Sequence, residues 1–178
     1  MNRLNHWLVM LILPLLSIHG LLGCFALLGI SSITVWPLSY ALLLVVVLHG
    51  VISLLLTRDA IIIGLKTGHW YWKENARYWI VRLSGICIFA LLGFHASAYT
   101  VNVDGVFFLQ EFTFLRMVSQ LLFVAAIAIH LLAAARPWLI KRGILTFGER
   151  AWDCVVVLGI LTSFFTFSVV MYYIYWNF

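Results

Sequence analysis

Five apolar stretches, each long enough to cross a bilayer, dominate this sequence. They lie at about residues 7–30, 37–57, 78–99, 113–135 and 154–176. About 20 apolar residues span the hydrocarbon core as a helix, and backbone groups in lipid must bond within their own segment. Hydrophobic residues make up 65% of the chain and charged residues only 10%, unlike a soluble domain. We therefore predict an all-α integral membrane bundle of five transmembrane helices, I–V, forming one membrane domain over residues 1–178.

Basic residues fall on alternate connections and predict the orientation of the bundle. Arg3 precedes helix I, and the connections at 58–77 and 136–150 each carry four Lys or Arg residues. The first connection has no charge, and the third has only Asp104 and Glu111. Cytoplasmic loops are enriched in Lys and Arg, so the N-terminus is predicted to be cytoplasmic and the C-terminus outside. No nucleic-acid-binding motif accompanies the net charge of +5, and no nucleic-acid partner is predicted.

Each of the first four predicted helices carries one histidine, namely His19, His49, His95 and His130. Because successive helices run in opposite directions, His19 and His95 fall toward the outside, and His49 and His130 toward the inside. Haem iron takes two axial imidazoles, and helix bundles build such sites from facing side chains. The pattern predicts two bis-histidine haems held by helices I–IV, an outer one on His19 and His95 and an inner one on His49 and His130. The alternative is that each histidine only hydrogen-bonds a neighbouring helix.

Two serines recur at a fixed spacing from these histidines. Ser84 precedes His95 by eleven residues, and Ser119 precedes His130 by eleven residues. Eleven residues is close to three helical turns, so each serine lies on the face of its own helix's histidine, about 16 Å away. Helices III and IV would each ligate one haem and present a small residue to the other haem.

Three arginines are candidates for pairing with haem propionates. Arg58 and Arg136 follow the two inner histidines, and guanidinium groups suit carboxylates. The positive-inside bias explains these two equally well. Arg116 lies on the predicted outer side, where that bias gives no reason for a cation, and is assigned to the outer haem.

Three segments carry a resemblance to a known family: LHGVISL at 48–54, ENARYWIVRLSGICIFALLGFHA at 74–96 and IAIHLLAAARPWLIKRGI at 127–144. They resemble ligand motifs of the single-chain, five-helix, dihaem cytochrome b membrane anchor of bacterial succinate dehydrogenase and fumarate reductase (complex II, succinate:quinone oxidoreductase). The resemblance covers about residue 40 to the end and rests on the order and spacing of the motifs.

The resemblance implies an electron-transfer subunit in a bacterial cytoplasmic (inner) membrane that performs no chemistry on succinate itself. Its cofactors would be two haem b groups on the four histidines, in the same pairing. Its partners would be an iron–sulfur subunit, the flavoprotein attached to it, and a membrane quinone, menaquinone or ubiquinone. The resemblance also assigns Arg82 and Ser84 to contact quinone or haem, with snorkelling of Arg82 to the interface as the alternative.

Two other functions fit part of the pattern. One is a dihaem, quinone-reactive cytochrome b subunit of a hydrogenase or formate dehydrogenase, and the other is a small transporter or scaffold without a cofactor. His6 and His69 are predicted to lie at the membrane surface and not to ligate iron. The 58–77 connection is predicted to be a loop on which the iron–sulfur partner docks.

Overall fold

A computed structural model describes residues 2–31, 33, 35–103, 106–146, 148 and 151–178. Its helices are α1 (Asn2–Leu27), α2 (Trp36–Thr67), α3 (Ala76–Ala96), α4 (Phe114–Lys141) and α5 (Trp152–Asn177). All five are long and apolar enough to cross a membrane. The prediction of five membrane-spanning helices is confirmed for the described residues.

Residues Met1–Glu74 form one compact unit, in which α1 packs against α2. The helix α2 begins with Pro37 in its first turn, where the missing N–H removes no helical bond. It ends where Gly68 adopts the left-handed conformation, at φ 69°, and donates its N–H to the Gly64 carbonyl. Glycine reaches this conformation without steric penalty, so it terminates the helix at a defined residue.

The helix α2 runs ten residues beyond the predicted end at 57, and its 32 residues are about 48 Å long. Arg58 and Asp59 mark a change in polarity, but both residues are compatible with helix, and the apolar run resumes after them. The loop predicted over 58–77 is therefore wrong for residues 58–67. The connection between α2 and α3 is confined to residues 68–75.

Residues Asn75–Phe178 form the second compact unit, in which α4 packs against both α3 and α5. The Thr113 hydroxyl caps α4 by accepting the backbone N–H of Arg116 at 3.4 Å. The helix continues through Pro137 to Lys141, six residues past its predicted end. Proline removes a single helical bond at this position, and the helix ends one turn later.

A short antiparallel hairpin interrupts the all-helical pattern in this second unit. Strands β1 (Thr100–Val103) and β2 (Val106–Leu109) pair so that Thr100 lies opposite Leu109. The alternating sequence TVNV and the apolar sequence VFFL flank an Asp-Gly pair, which is a strong hairpin signal. Asp104 and Gly105 themselves lie outside the described residues. The third connection, for which the all-α prediction assigned no strand, thus contains two strands.

Most of the helical surface is apolar and exposed, as expected of a protein surrounded by lipid. Leu65 and Leu115, for example, are 71% and 77% exposed. The buried polar side chains in the described part of the chain are few, namely Thr57, Ser84, Gln120 and Ser168. Two of these, Ser84 and Gln120, contact histidines.

Candidate functional site

His95, near the end of α3, is held by a buried amide from α4. Its Nδ1 lies 2.8 Å from Oε1 of Gln120, whose side chain is only 1% exposed. The Gln120 Nε2 donates to the Ser119 hydroxyl at 3.1 Å and to the Phe94 carbonyl at 3.4 Å. The amide nitrogen is thereby engaged elsewhere, so the amide oxygen accepts the Nδ1–H of His95. This assignment leaves the lone pair of the imidazole on Nε2, the form that binds a metal.

His130, in the second half of α4, is held by α3 in a comparable way. Its Nδ1 lies 3.1 Å from the Val81 carbonyl oxygen and 3.1 Å from the Ser84 hydroxyl oxygen. A carbonyl only accepts, so Nδ1 carries the proton. The Ser84 hydroxyl donates to the Ile80 carbonyl at 2.6 Å, which leaves its oxygen to accept from His130. The lone pair of His130 is therefore also on Nε2.

The two histidines of this unit are braced reciprocally. Gln120 on α4 fixes the imidazole of His95 on α3. Val81 and Ser84 on α3 fix the imidazole of His130 on α4. Histidines that ligate metals almost always donate their second ring N–H to such an acceptor, which sets the tautomer and the ring orientation. Both imidazoles thus have the protonation state and support expected of axial ligands.

In the unit formed by α1 and α2, a hydrogen bond sets the level of His19 relative to α2. Its Nδ1 lies 3.3 Å from the Ser39 hydroxyl, near the beginning of α2. His49 is partly buried ten residues further along the same helix. At 1.5 Å per residue, the levels of His19 and His49 differ by about 15 Å.

The same offset is found in the unit formed by α3, α4 and α5. Gln120 marks the level of His95 on α4, and His130 follows it by ten residues, again about 15 Å. Each unit, taken by itself, carries two imidazoles at two levels with equal spacing. The pairing of His19 with His95 and of His49 with His130 stays a prediction.

Aromatic rings surround His95. Phe123 stacks on the imidazole with ring centres 4.6 Å apart, and Tyr99 meets it edge-on at 6.2 Å. Tyr99 stacks in turn on Phe112, which is fully buried, and the Asn177 amide donates to the Phe112 carbonyl. These contacts join the ends of α3 and α5 around the start of α4 and exclude water from one side of His95.

Arg116 and Ser119, the predicted partners of a haem, have contacts within their own region. The Arg116 guanidinium donates to the Gln110 side-chain oxygen at 2.8 Å and to the Glu111 carbonyl. The Ser119 hydroxyl donates to the Arg116 carbonyl at 2.7 Å and accepts from Gln120. Arg116 therefore fastens the start of α4 to the segment after β2, and Ser119 supports the residue that holds His95.

The arginines that follow the other two histidines lie on helices rather than in loops. Arg58 is exposed on α2, nine residues beyond His49 and so about 14 Å from its level. Arg136 is partly buried on α4, six residues beyond His130 and about 9 Å from its level. An arginine side chain covers a larger share of the roughly 9 Å between Arg136 and the level of His130 than of the roughly 14 Å between Arg58 and the level of His49. Arg136 is therefore better placed than Arg58 to bind a propionate.

Arg82 lies between Val81 and Ser84, two residues that contact His130. Its guanidinium is 5.1 Å from the centre of the Tyr78 ring. Its Nε is buried and has no hydrogen-bond partner among the described residues. The predicted contact with haem or quinone stays a prediction, but this nitrogen has the capacity to bind a further acceptor.

Of the two histidines predicted not to be ligands, His69 is exposed in the connection after α2. Its Nδ1 donates to the Thr67 carbonyl at 2.7 Å. His6 is partly buried near the start of α1. His69 provides a natural control for experiments on the four helical histidines.

The helical histidines meet the requirement of a haem for axial ligands. Within the described ranges, no three His, Cys, Asp or Glu side chains are grouped so that they could hold a metal ion. A haem requires less from the chain, because the porphyrin supplies the equatorial ligands and the protein only the axial ones. Imidazoles that come singly from separate helices suit that division, and in three of them, His19, His95 and His130, Nδ1 has a hydrogen-bond partner.

Gln120 is the functional candidate that the sequence interpretation missed. That interpretation searched for small and basic residues near the histidines and passed over an amide in an apolar run. The signal was available, since Gln120 precedes His130 by ten residues and a buried amide in a membrane helix requires a partner.

Comparison with known proteins adds no further assignment. No protein-family model, curated protein or solved structure matches this chain.

Proposed function

We propose that this chain is a dihaem cytochrome b membrane anchor that passes electrons between a soluble iron–sulfur partner and a membrane quinone. The observation that carries the proposal is the equal spacing of the histidines. Each compact unit offers one imidazole at each of two levels about 15 Å apart. Two stacked haems need this arrangement, whereas histidines that only join neighbouring helices need no common offset.

The chain's own residues have distinct roles in this proposal. His19, His49, His95 and His130 provide the axial nitrogens, and Gln120 and Val81 hold two of the rings in the required tautomer. The aromatic rings next to His95 lower the local polarity. When bound, haem supplies reversible one-electron transfer, and the protein tunes its potential through ligand hydrogen bonds and burial.

The proposed partners follow from the sequence resemblance and from the basic ends of the helices. We place the iron–sulfur subunit, with its flavoprotein, against the basic end of α2 and the 68–75 connection on the cytoplasmic side of a bacterial inner membrane. Trp70 and Trp72 in that connection stack at 6.0 Å, and Tyr71 is exposed. Aromatic residues are enriched at protein interfaces, which supports this position.

Histidine-to-alanine variants test the haem proposal. We expect the purified, reduced protein to show b-type absorption bands, and each of the four helical variants to lose about half of the haem per chain. His19→Ala and His95→Ala should remove the same spectral component, and His49→Ala and His130→Ala the other. His69→Ala is the matched control and should retain all the haem. An absence of b-type bands in the parent protein would overturn the proposal.

The identity of the soluble partners separates complex II from other quinone-reactive cytochromes. Affinity purification of the full chain from its native membrane should recover a flavoprotein with an iron–sulfur subunit. Recovery of a nickel or molybdenum enzyme would instead favour the hydrogenase or formate dehydrogenase alternative, while leaving haem ligation intact.

A further inference from the structure

A cleft of about 400 Å³ opens between the beginning of α3 and the last turns of α4. Its α3 side consists of Arg77, Tyr78, Val81 and Arg82, and its α4 side includes Ala134 and Pro137. The small α4 residues leave room between the helices, and the walls are almost entirely apolar. Two guanidinium groups are thus set beside an apolar groove within the first two turns of a membrane-spanning helix.

The charge and bonding state of Arg82 suit an anion in this cleft. The buried Nε has no partner among the described residues, although the guanidinium face rests on the Tyr78 ring. A buried donor without an acceptor is unfavourable, so a shift of the side chain that brought this nitrogen to an oxyanion would stabilise the protein. The exposed Arg77, five residues earlier, supplies a second positive charge at the rim.

We propose that this cleft is a specific site for a phospholipid with an anionic headgroup. The phosphodiester would accept hydrogen bonds from Arg82 and Arg77, since a guanidinium pairs well with phosphate oxygens. An acyl chain would lie along Val81 and Ala134. Basic pockets between membrane helices are known to bind anionic headgroups, and Tyr78 has the amphipathic ring favoured at the headgroup level.

Both features of the cleft favour a lipid over a small anion. A free phosphate would use the two arginines but leave the apolar walls uncovered, whereas a lipid covers both. The inference concerns the ends of α3 and α4 and holds whether or not haem is bound, so it can succeed or fail independently of the proposed function.

The test measures lipid retained by the full-length protein. The chain is reconstituted in nanodiscs of phosphatidylcholine containing phosphatidylglycerol, extracted into mild detergent, and analysed by native mass spectrometry. We expect Arg82→Gln to retain about tenfold less phosphatidylglycerol than the parent, because it loses a charge-assisted hydrogen bond to the phosphate. Ala134→Leu, which fills the cleft without altering charge, should reduce retention similarly and serves if Arg82→Gln folds poorly.

Arg142 provides the matched control. Its guanidinium also lies over an aromatic ring, 5.5 Å from the centre of Trp138, but it does not line the cleft. Arg142→Gln should retain as much phosphatidylglycerol as the parent. An equal loss in Arg142→Gln and Arg82→Gln would show diffuse surface attraction and overturn the proposal, as would full retention in Ala134→Leu.

Two further measurements distinguish a bound lipid from a free anion or a haem in this cleft. Sodium phosphate added in detergent should neither raise the unfolding midpoint nor displace the retained lipid, and either effect would assign the cleft to a free anion. Haem content is measured in the same samples. Loss of haem in Arg82→Gln with lipid retention unchanged would assign Arg82 to the haem and overturn the lipid site.

Discussion

Replacing Gln120 with leucine offers a sharp test of whether the buried amide supports a metal-bound imidazole. Leucine is similar in size and suits the surrounding apolar helices, so the change removes the hydrogen bond with little change in volume. His95 would lose the acceptor that lies 2.8 Å from its Nδ1. Its Nδ1–H would then be left without that partner in a largely apolar setting.

The size of the effect follows from that single contact. Leaving a buried donor unsatisfied costs about 1–3 kcal/mol. Loss of an outer-shell partner typically weakens metal binding by about 10–100-fold, which is about 1.4–2.8 kcal/mol. The two estimates agree, so we expect Gln120→Leu to bind one of its two haems about 10–100-fold more weakly.

A redox titration adds a reading that a purely structural defect would not give. The Nδ1–H···O bond makes the imidazole more basic and favours ferric iron, so its loss should raise the midpoint potential of any haem still bound through His95. Gln120→Glu, with a stronger acceptor, should lower that potential.

The second glutamine supplies the control for this experiment. Gln110 bonds Arg116 and the Ser97 and Thr100 carbonyls and has no contact with a histidine. Gln110→Leu should keep both haems at the parent potentials. The reasoning is refuted if Gln120→Leu retains both haems with unchanged potentials, or if Gln110→Leu shows the same losses.

Three further substitutions test contacts elsewhere in the two units. A Cβ on Gly85 would already approach His130 Cε1 to 3.4 Å, so Gly85→Val should displace that ring and reduce the haem band in optical spectra, whereas Gly85→Ala should keep it. A Cβ on Gly64 would come within 2.6 Å of the Trp70 ring, so Gly64→Val should shift the Trp70 signal in fluorotryptophan NMR; an unmoved signal contradicts the contact. Phe112→Ala removes a fully buried ring and should lower the free energy of unfolding in micelles by about 3 kcal/mol, and a loss below about 1 kcal/mol would show that the aromatic cluster is not a packed core.

Hydropathy predicted the helices but not their ends. Lipid imposes the five apolar stretches, so their number and approximate position can be read from the sequence. Charged residues such as Arg58 and Arg136 follow directly on the predicted ends, yet both helices continue past them. The end of α2 is set instead by the left-handed Gly68, a conformational signal that a hydropathy pattern does not contain.

The candidate site was predictable where it depends on spacing along a helix, and not where it depends on contacts between helices. Counting residues identified the four histidines and located Ser84, which the structure finds against His130. Counting could not show that Gln120 and not Ser119 contacts His95, because adjacent residues differ by about 100° around the helix axis and only packing selects between them. The pairing of histidines between helices I and III and between helices II and IV stays a prediction.

The reciprocal bracing of α3 and α4 has a mechanical consequence. Because the helices run antiparallel and each holds a ring on the other, a slip of one past the other would loosen both rings at once. A mismatch between these helices and the thickness of the surrounding bilayer acts as just such a shearing force. Membrane strain is therefore expected to disturb both imidazoles in concert, so the two proposed haems would respond to lipid composition as a single unit.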